Sequence, residues 1–175
     1  MNIQALVDEI PVEGEYALEG LDFIASGEQY LTFSLGIEQY AVDILSVEEI
    51  RSWEQPTHIP NAPSFVKGVI NMRGVIVPII DLRIRFDIGD AIYCKTTVVI
   101  VLKAQHENQY RTMGFVVDAV SDVLNAEEDD IKTTLAFGGS LAPHYITGLV
   151  NVGENIVTLL DVTALQTIPS HQTKQ

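Results

Sequence analysis

The sequence predicts a mainly β protein built from two related units. Three observations carry that expectation: short runs in which apolar and polar residues alternate, turn residues between the runs, and an internal repeat whose polar positions coincide as well as its apolar ones. Residues 30–35, YLTFSL, alternate large apolar side chains with smaller or polar ones. Residues 36–39 then supply a turn before a second run at 40–45, which together read as a hairpin. VEEIR at 47–51 is short enough to be strand or helical turn and is assigned as strand. Pro56, Pro60 and Pro63 exclude a regular helix or a central strand, so 55–64 is a loop, and long loops in compact domains are often functional. The apolar pieces Val69-Ile70 and 75–80 flank Asn71-Met72-Arg73-Gly74, where Asn and Gly tolerate the positive φ of a tight turn. Residues 97–102 and 110–117, separated by a polar turn at 104–108, form another hairpin. Residues 125–130 read as a capped helical turn, 137–143 as a loop and 169–175 as a frayed tail.

The repeat emerges when FVKGVINMRGVIVPIIDL, from Phe65, is laid on YITGLVNVGENIVTLLDV, from Tyr145, at an offset of 80 without a gap. Gly68 then meets Gly148, Asn71 meets Asn151, Ile76 meets Ile156 and Asp81 meets Asp161. Upstream, VEEI from Val47 matches VSDV from Val120 at an offset of 73. Two all-β units of about 65–75 residues follow, with strand spacing that suits small closed or nearly closed barrels. Gly68 and Gly148 recur for a backbone reason, a bulge or a close strand approach. Asp81 and Asp161 sit where a strand ends and a cap is useful, while Asn71, Gly74 and Asn151 belong to the hairpin turns. Arg73 does not recur. Its counterpart is Gly153, so the turn itself does not require arginine.

Composition narrows the function. The chain has 175 residues, 47% hydrophobic, enough for one substantial core or two small ones. Ten Lys and Arg against 24 Asp and Glu give a formal charge of -14, which repels nucleic-acid phosphates and anionic lipid, so neither nucleic acid nor direct membrane insertion is expected. Seven acids and no Lys or Arg fall in the first 28 residues, marking 1–27 as a separate acidic, mobile arm. Neither a basic-then-apolar leader nor a run of about 18 apolar residues is present, which predicts a cytoplasmic protein. Cys94 stands alone and is expected to be a buried, inert thiol. Trp53, before the proline loop, is either its anchor in the core or an exposed interface aromatic.

No catalytic constellation has a specific spacing. His58, His106, His144 and His171 show no i, i+4 pair, the serines lack a nucleophile elbow, and no Gly-rich phosphate loop occurs. Glu48 and Glu49 are strand neighbours on opposite faces, so they cannot share one substrate atom. The acids 127–130 read as a solvated helix start rather than a calcium loop. No cofactor and no metal are expected. What remains is a two-unit β protein with surfaces to share, which describes an adaptor better than an enzyme.

With those residues in hand, the chain resembles the CheW family of bacterial chemotaxis coupling proteins over roughly residues 28–165. The carriers are YLTFSLGIEQYAVDILSVEEIR, FVKGVINMRGVIVPIIDLRIRF, TTVVIVL, GFVVDAVSDVL and YITGLVNVGENIVTLLDVTAL, in the family's order. The resemblance implies two SH3-like five-stranded β-barrels packed side by side around a shared apolar interior, with short helical segments. That places a first barrel at about 28–90, a second at about 91–168 and a tail at 169–175, with an approximate boundary because terminal elements can complete the other barrel. It also implies a non-enzymatic adaptor linking the cytoplasmic tips of chemoreceptors (methyl-accepting chemotaxis proteins) to the regulatory domain of the histidine kinase CheA, at arrays on the inner face of the membrane. By motif, Gly68 and Arg73 match Gly-x-x-Asn-x-Arg-Gly and Val47 and Glu49 match Val-x-Glu-Ile, positions tied in the family to receptor or kinase coupling. Competing expectations are a coupler of a related array, such as one for surface motility, or a small ligand-binding or enzymatic β protein using His58 or His144. The chain carries no receiver domain of the CheV kind and no kinase module of the CheA kind.

Overall fold

The computed structural model describes residues 28–132 and 143–167. Strands β1 (Glu28–Leu35) and β2 (Glu38–Asp43) form a hairpin, followed by a 3-10 turn (Ile44–Ser46) and β3 (Val47–Ser52). Beyond the proline loop come β4 (Val66–Met72), β5 (Val75–Asp81) and the single-turn helix α1 (Leu82–Arg85). Next are β6 (Val98–His106), β7 (Gln109–Val117) and β8 (Ala119–Ala126), then 3-10 turns at Glu128–Asp130 and Pro143–Tyr145. Strands β9 (Ile146–Val152) and β10 (Asn155–Leu160) and helix α2 (Val162–Leu165) close the described chain. The expected arm at 1–27, the loop at 137–142 and the tail at 169–175 lie outside the described residues.

The strands make two five-stranded, barrel-like sheets, ordered β8-β1-β2-β10-β9 and β3-β6-β7-β5-β4. The orders are the same once β1 to β5 are mapped onto β6 to β10. Even the two parallel pairings correspond: Leu159 lies opposite Ala41, and Ile79 lies opposite Gly114. Sheet membership corrects the sequential division at about residue 90. Each repeat unit gives its first hairpin to the sheet that the other unit completes, so β1–β2 joins β8, β9 and β10 while β6–β7 joins β3, β4 and β5.

The physical reason is that these two hairpins are apolar on both faces. One face of β1–β2 contributes Tyr30 and Ala41 to a small core with Val150, Val157 and Leu159. The other face contributes Leu31, Phe33, Leu35, Tyr40 and Val42 to the largest core, where they meet Ile100, Leu102, Met113, Phe115 and Val117 from β6–β7. Val99, Val101 and Val116, on the opposite face of β6–β7, fill the second small core with Val77 and Ile79. A strand covered on both sides reads as a continuous apolar run, which is why TTVVIVL does not alternate.

The repeated polar positions have repeated bonds. The Asp81 amide donates to the Phe65 carbonyl at 2.7 Å, and the Asp161 amide donates to the Tyr145 carbonyl at 2.8 Å. The carboxylates then cap α1 and α2, Asp81 accepting from the amides of Arg83 and Ile84 and Asp161 from that of Ala164. Beside each glycine an isolated two-way bridge brings a loop against β4 or β9: Thr57 with Val69, and Lys132 with Leu149. Gly68 has φ +142, and an added Cβ would lie 2.1 Å from the Thr57 carbonyl oxygen; at Gly148 the nearest atom would be Ile131 Cγ2 at 2.5 Å.

Two local expectations differ. The polar turn at 104–108 shrinks to Glu107 and Asn108, because β6 and β7 stay paired out to His106 and Gln109. Cys94 is exposed rather than buried: it lies in the segment between α1 and β6, outside every apolar core, where polar neighbours surround it. Its thiol is pushed down to about 7, first by a hydrogen bond with the Thr96 hydroxyl at 3.2 Å and then by the Thr96 backbone.

Gly68→Ala is expected to destabilise the fold by about 2–4 kcal/mol in urea unfolding, because backbone must move and the φ is unsuited to an L side chain. Gly148→Ala should cost less, since a side-chain methyl can give way and no positive φ is involved. Alkylation of Cys94 by iodoacetamide should follow a titration centred near pH 7, and Thr96→Ala should move that midpoint upward.

Candidate partner interface

The β4–β5 hairpin closes with Met72 opposite Val75, leaving Arg73 and Gly74 as a two-residue loop with φ of 54 and 86. Positive φ at both central residues is the twist that matches a right-handed hairpin, and Asn71 supports it by accepting the Gly74 amide on Oδ1 at 2.8 Å. Glycine meets this geometry at little cost, whereas a residue with a Cβ is disfavoured by roughly 1–2 kcal/mol. Arg73 therefore stands in a position that the local backbone would rather give to glycine, as the second unit does with Gly153 at φ 64. Only one positive φ is needed there, and Asn151 makes no corresponding hydrogen bond among the described residues.

From the turn, Arg73 Nη2 donates to Glu49 Oε1 at 2.9 Å, while Arg51 Nη1 donates to Glu49 Oε2 at 3.3 Å. Glu49 lies on β3 and Arg73 at the end of β4, the two edges of the same sheet, so the ion pair spans the seam where the barrel does not close by backbone bonds. Its side chains are 69% and 14% exposed, which leaves most guanidinium donors facing solvent. An exposed pair of this kind stabilises by less than about 1 kcal/mol, too little to explain an arginine at a strained position. Beside it the hairpin exposes Val75 and Ile76. A cation over apolar side chains can hold a partner's carboxylate or cap a helix's last carbonyls.

The structure thus brings Arg73 and Glu49 together, with Arg51 added. Val47 is half-buried and packs on the large core. Gly68 is buried under Thr57, so a side chain added there would displace the loop. Gly148 is its buried equivalent. Asp81 is 2% exposed, and Oδ2 also accepts the Tyr93 hydroxyl at 2.6 Å. Burial first, and that bond second, push the Tyr93 hydroxyl well above the usual tyrosine range. Trp53 settles between its two expectations: half-buried, it stacks on Tyr93 at 4.4 Å and an interplanar angle of 9°, holding the segment that precedes β6. His58 and His144 are exposed, and His144 packs on Tyr145 at 4.0 Å. Among the described residues no group of three His, Cys, Asp or Glu is placed to hold a metal ion.

Sequence reasoning passed over Arg83 and Arg85. Arg83 pairs with Asp118, which also accepts the Gly36 amide at 2.7 Å and so ties α1 to the β1–β2 turn of the other sheet. Arg85 lies over the rings of Phe65 and Tyr145 at 5.4 and 5.7 Å and donates to the Tyr145 hydroxyl. The hydrogen-bonded partners are 35 to 82 residues apart in the chain, and no local pattern announces them.

A model of the CheW-like domain matches residues 29–168. Chemotaxis protein CheW of Klebsiella aerogenes is 48% identical over 139 residues, covering 79% of this chain and 81% of that protein. The probable chemotaxis protein CheW of Rhizobium etli is 31% identical over 150 residues, covering 86% and 93%. The crystal structure of the scaffolding protein TtCheW from Thermoanaerobacter tengcongensis superposes with a TM-score of 0.70 at 29% identity, over 78% of this chain and 85% of that one. The exchanged hairpins, the paired sheets and this match over most of the chain's length lead to one conclusion: the chain belongs to the CheW-like family.

Proposed function

We propose that this protein acts without catalysis as a chemotaxis adaptor coupling chemoreceptor tips to the regulatory domain of a CheA-type histidine kinase, in arrays at the inner face of the membrane. Membership of the CheW-like family makes it a chemotaxis scaffold protein. No helix among the described residues is long and apolar enough to cross a membrane. The observation that carries the coupling reading is Arg73: exposed, held at φ 54 where glycine would be easier, aimed by Glu49 and flanked by Val75 and Ile76. A receptor or kinase helix can lay an apolar face on such a patch while the guanidinium meets a carboxylate or the helix end. Contacts of this size are weak one at a time and gain strength through repetition in an array. Glu49 serves as the positioning partner, and Val47 supports the strand that carries it.

The two roles of Arg73 separate by substitution. Arg73→Gly is expected to leave thermal unfolding unchanged or raise stability by up to about 1 kcal/mol, because turn strain is relieved. Arg73→Glu should remain folded by circular dichroism yet lose tenfold or more in capture of a receptor cytoplasmic fragment or a kinase regulatory domain, about 1.4 kcal/mol or more of binding. Retention of both partners at parental strength by the folded Glu variant would sink the interface role of Arg73. A parental chain that captures neither would sink the coupling reading itself.

A further inference from the structure

In the sheet ordered β3-β6-β7-β5-β4 the edge strands β3 and β4 are not paired with each other, and side chains span the seam between them at both ends. At one end stand Glu49 and Arg73. At the other, the Tyr93 ring touches both edges: it stacks on Trp53, just after β3, at 4.4 Å, and Lys67 Nζ of β4 lies 5.7 Å from its centroid. Between the two ends, the chain leaving Trp53 turns back and pairs Thr57 with Val69 on the open edge of β4, through two backbone bonds of 2.9 Å. Gly68 lies beneath that bridge. Tyr93, Trp53 and Ile70 also pack on the small core formed by Met72, Val77, Ile79, Val99, Val101 and Val116, so the ring closes this end of the barrel.

Tyr93 is supplied by the connection between α1 and β6. Residues 87–96 of that connection form neither strand nor helix, and none of them is buried. Residues 89–96 make local turns with one another and with Thr97; among the described residues, the hydrogen bond that carries them across the fold is the Tyr93 hydroxyl to Asp81 Oδ2, at 2.6 Å. A segment with so few ties opens more easily than the core beneath it. Ile92, next to Tyr93, is 68% exposed, which puts the tie at the surface. Asp81 uses its other oxygen for the amides of Arg83 and Ile84, so α1 stays capped when Tyr93 leaves. The other barrel makes its bridge, Lys132 with Leu149, with smaller residues in these places: Ala126 stands where Trp53 does at the offset of 73, and Thr147 where Lys67 does at the offset of 80. We propose that the connection is a releasable latch: Tyr93 seated on Asp81 holds the Thr57–Val69 bridge and the seam closed, and its release frees the edge of β4, the strand that leads to Arg73. The latch acts within the free chain and stands apart from the coupling reading.

Amide hydrogen exchange on the full chain tests it. In Tyr93→Ala, which removes ring and hydroxyl, the amides of Thr57 and Val69 should exchange about tenfold faster than in the parent, an opening easier by about 1.4 kcal/mol. Tyr93→Phe keeps the stack on Trp53 and leaves Asp81 Oδ2 without its donor, so it should give a smaller increase of about threefold. The amides of Lys132 and Leu149, which make the same bridge in the other barrel, should be unchanged in both variants. Trypsin should cut after Lys95 faster in the same order, Ala ahead of Phe ahead of the parent. Unchanged exchange of Thr57 and Val69 in Tyr93→Ala would overturn the latch. So would an equal acceleration of all four amides, which marks a loss of stability by the whole fold, and so would cleavage after Lys95 that stays at the parental rate in both variants. If Tyr93→Ala does not fold, Tyr93→Phe decides by the same comparison.

Discussion

Two hairpins buried on both faces are what the rest of the structure depends on. Phe33, Leu35, Ile100, Leu102 and Phe115 are at most 1% exposed, and each such side chain contributes about 1.5–3 kcal/mol when fully buried. β1–β2 and β6–β7 can satisfy one face inside a barrel and the other only against each other. Exchanging them between repeat units meets both demands with one arrangement. The parallel pairings that result require a small residue where strands approach, Gly114 in one sheet and Ala41 in the other. An added Cβ at Gly114 would lie 2.7 Å from Ile79 and 2.8 Å from Val99. Neither sheet is then separable from the other, because each holds strands from both halves of the chain.

On that symmetric frame the chemistry lies in the departures from symmetry. The bridges at Thr57 and Lys132, the glycines beneath them and the aspartate caps repeat because both units solve the same backbone problem. Arg73 does not repeat, and neither does the Trp53–Tyr93 stack over Asp81. A rigid scaffold lets such differences accumulate at turns and connecting segments without disturbing the core. The same logic separates Gly68 from Arg73 although both fall in one motif: the first is fixed by a carbonyl 2.1 Å from its absent Cβ, the second by nothing that the fold demands.

Charge sharpens the distinction. In a chain of net -14, Arg83 and Arg85 are used inside the fold, one tying α1 to the opposite sheet and the other packed on Phe65 and Tyr145. Arg51 and Arg73 share the single carboxylate of Glu49, so their cluster keeps a positive surplus at the barrel seam. The surplus stands on an otherwise acidic molecule, where long-range repulsion between like proteins makes a local cationic point selective for an acidic or carbonyl-rich partner.

The sequence by itself determined the β class, the hairpins, the two-unit repeat and the positions of its glycines and aspartates. It could do so because period-two alternation, turn chemistry and self-similarity are local along the chain. It also singled out Arg73 as the residue the second unit omits. Tertiary structure alone decided which hairpin completes which sheet, because a strand apolar on both faces carries no mark of the neighbour it will take. It decided, too, that Gly68 is sealed beneath Thr57, that Cys94 is exposed, and that Arg73 meets Glu49 across 24 residues of sequence. Those outcomes depend on distances between segments far apart in the chain, and such distances are set only when the shared core closes.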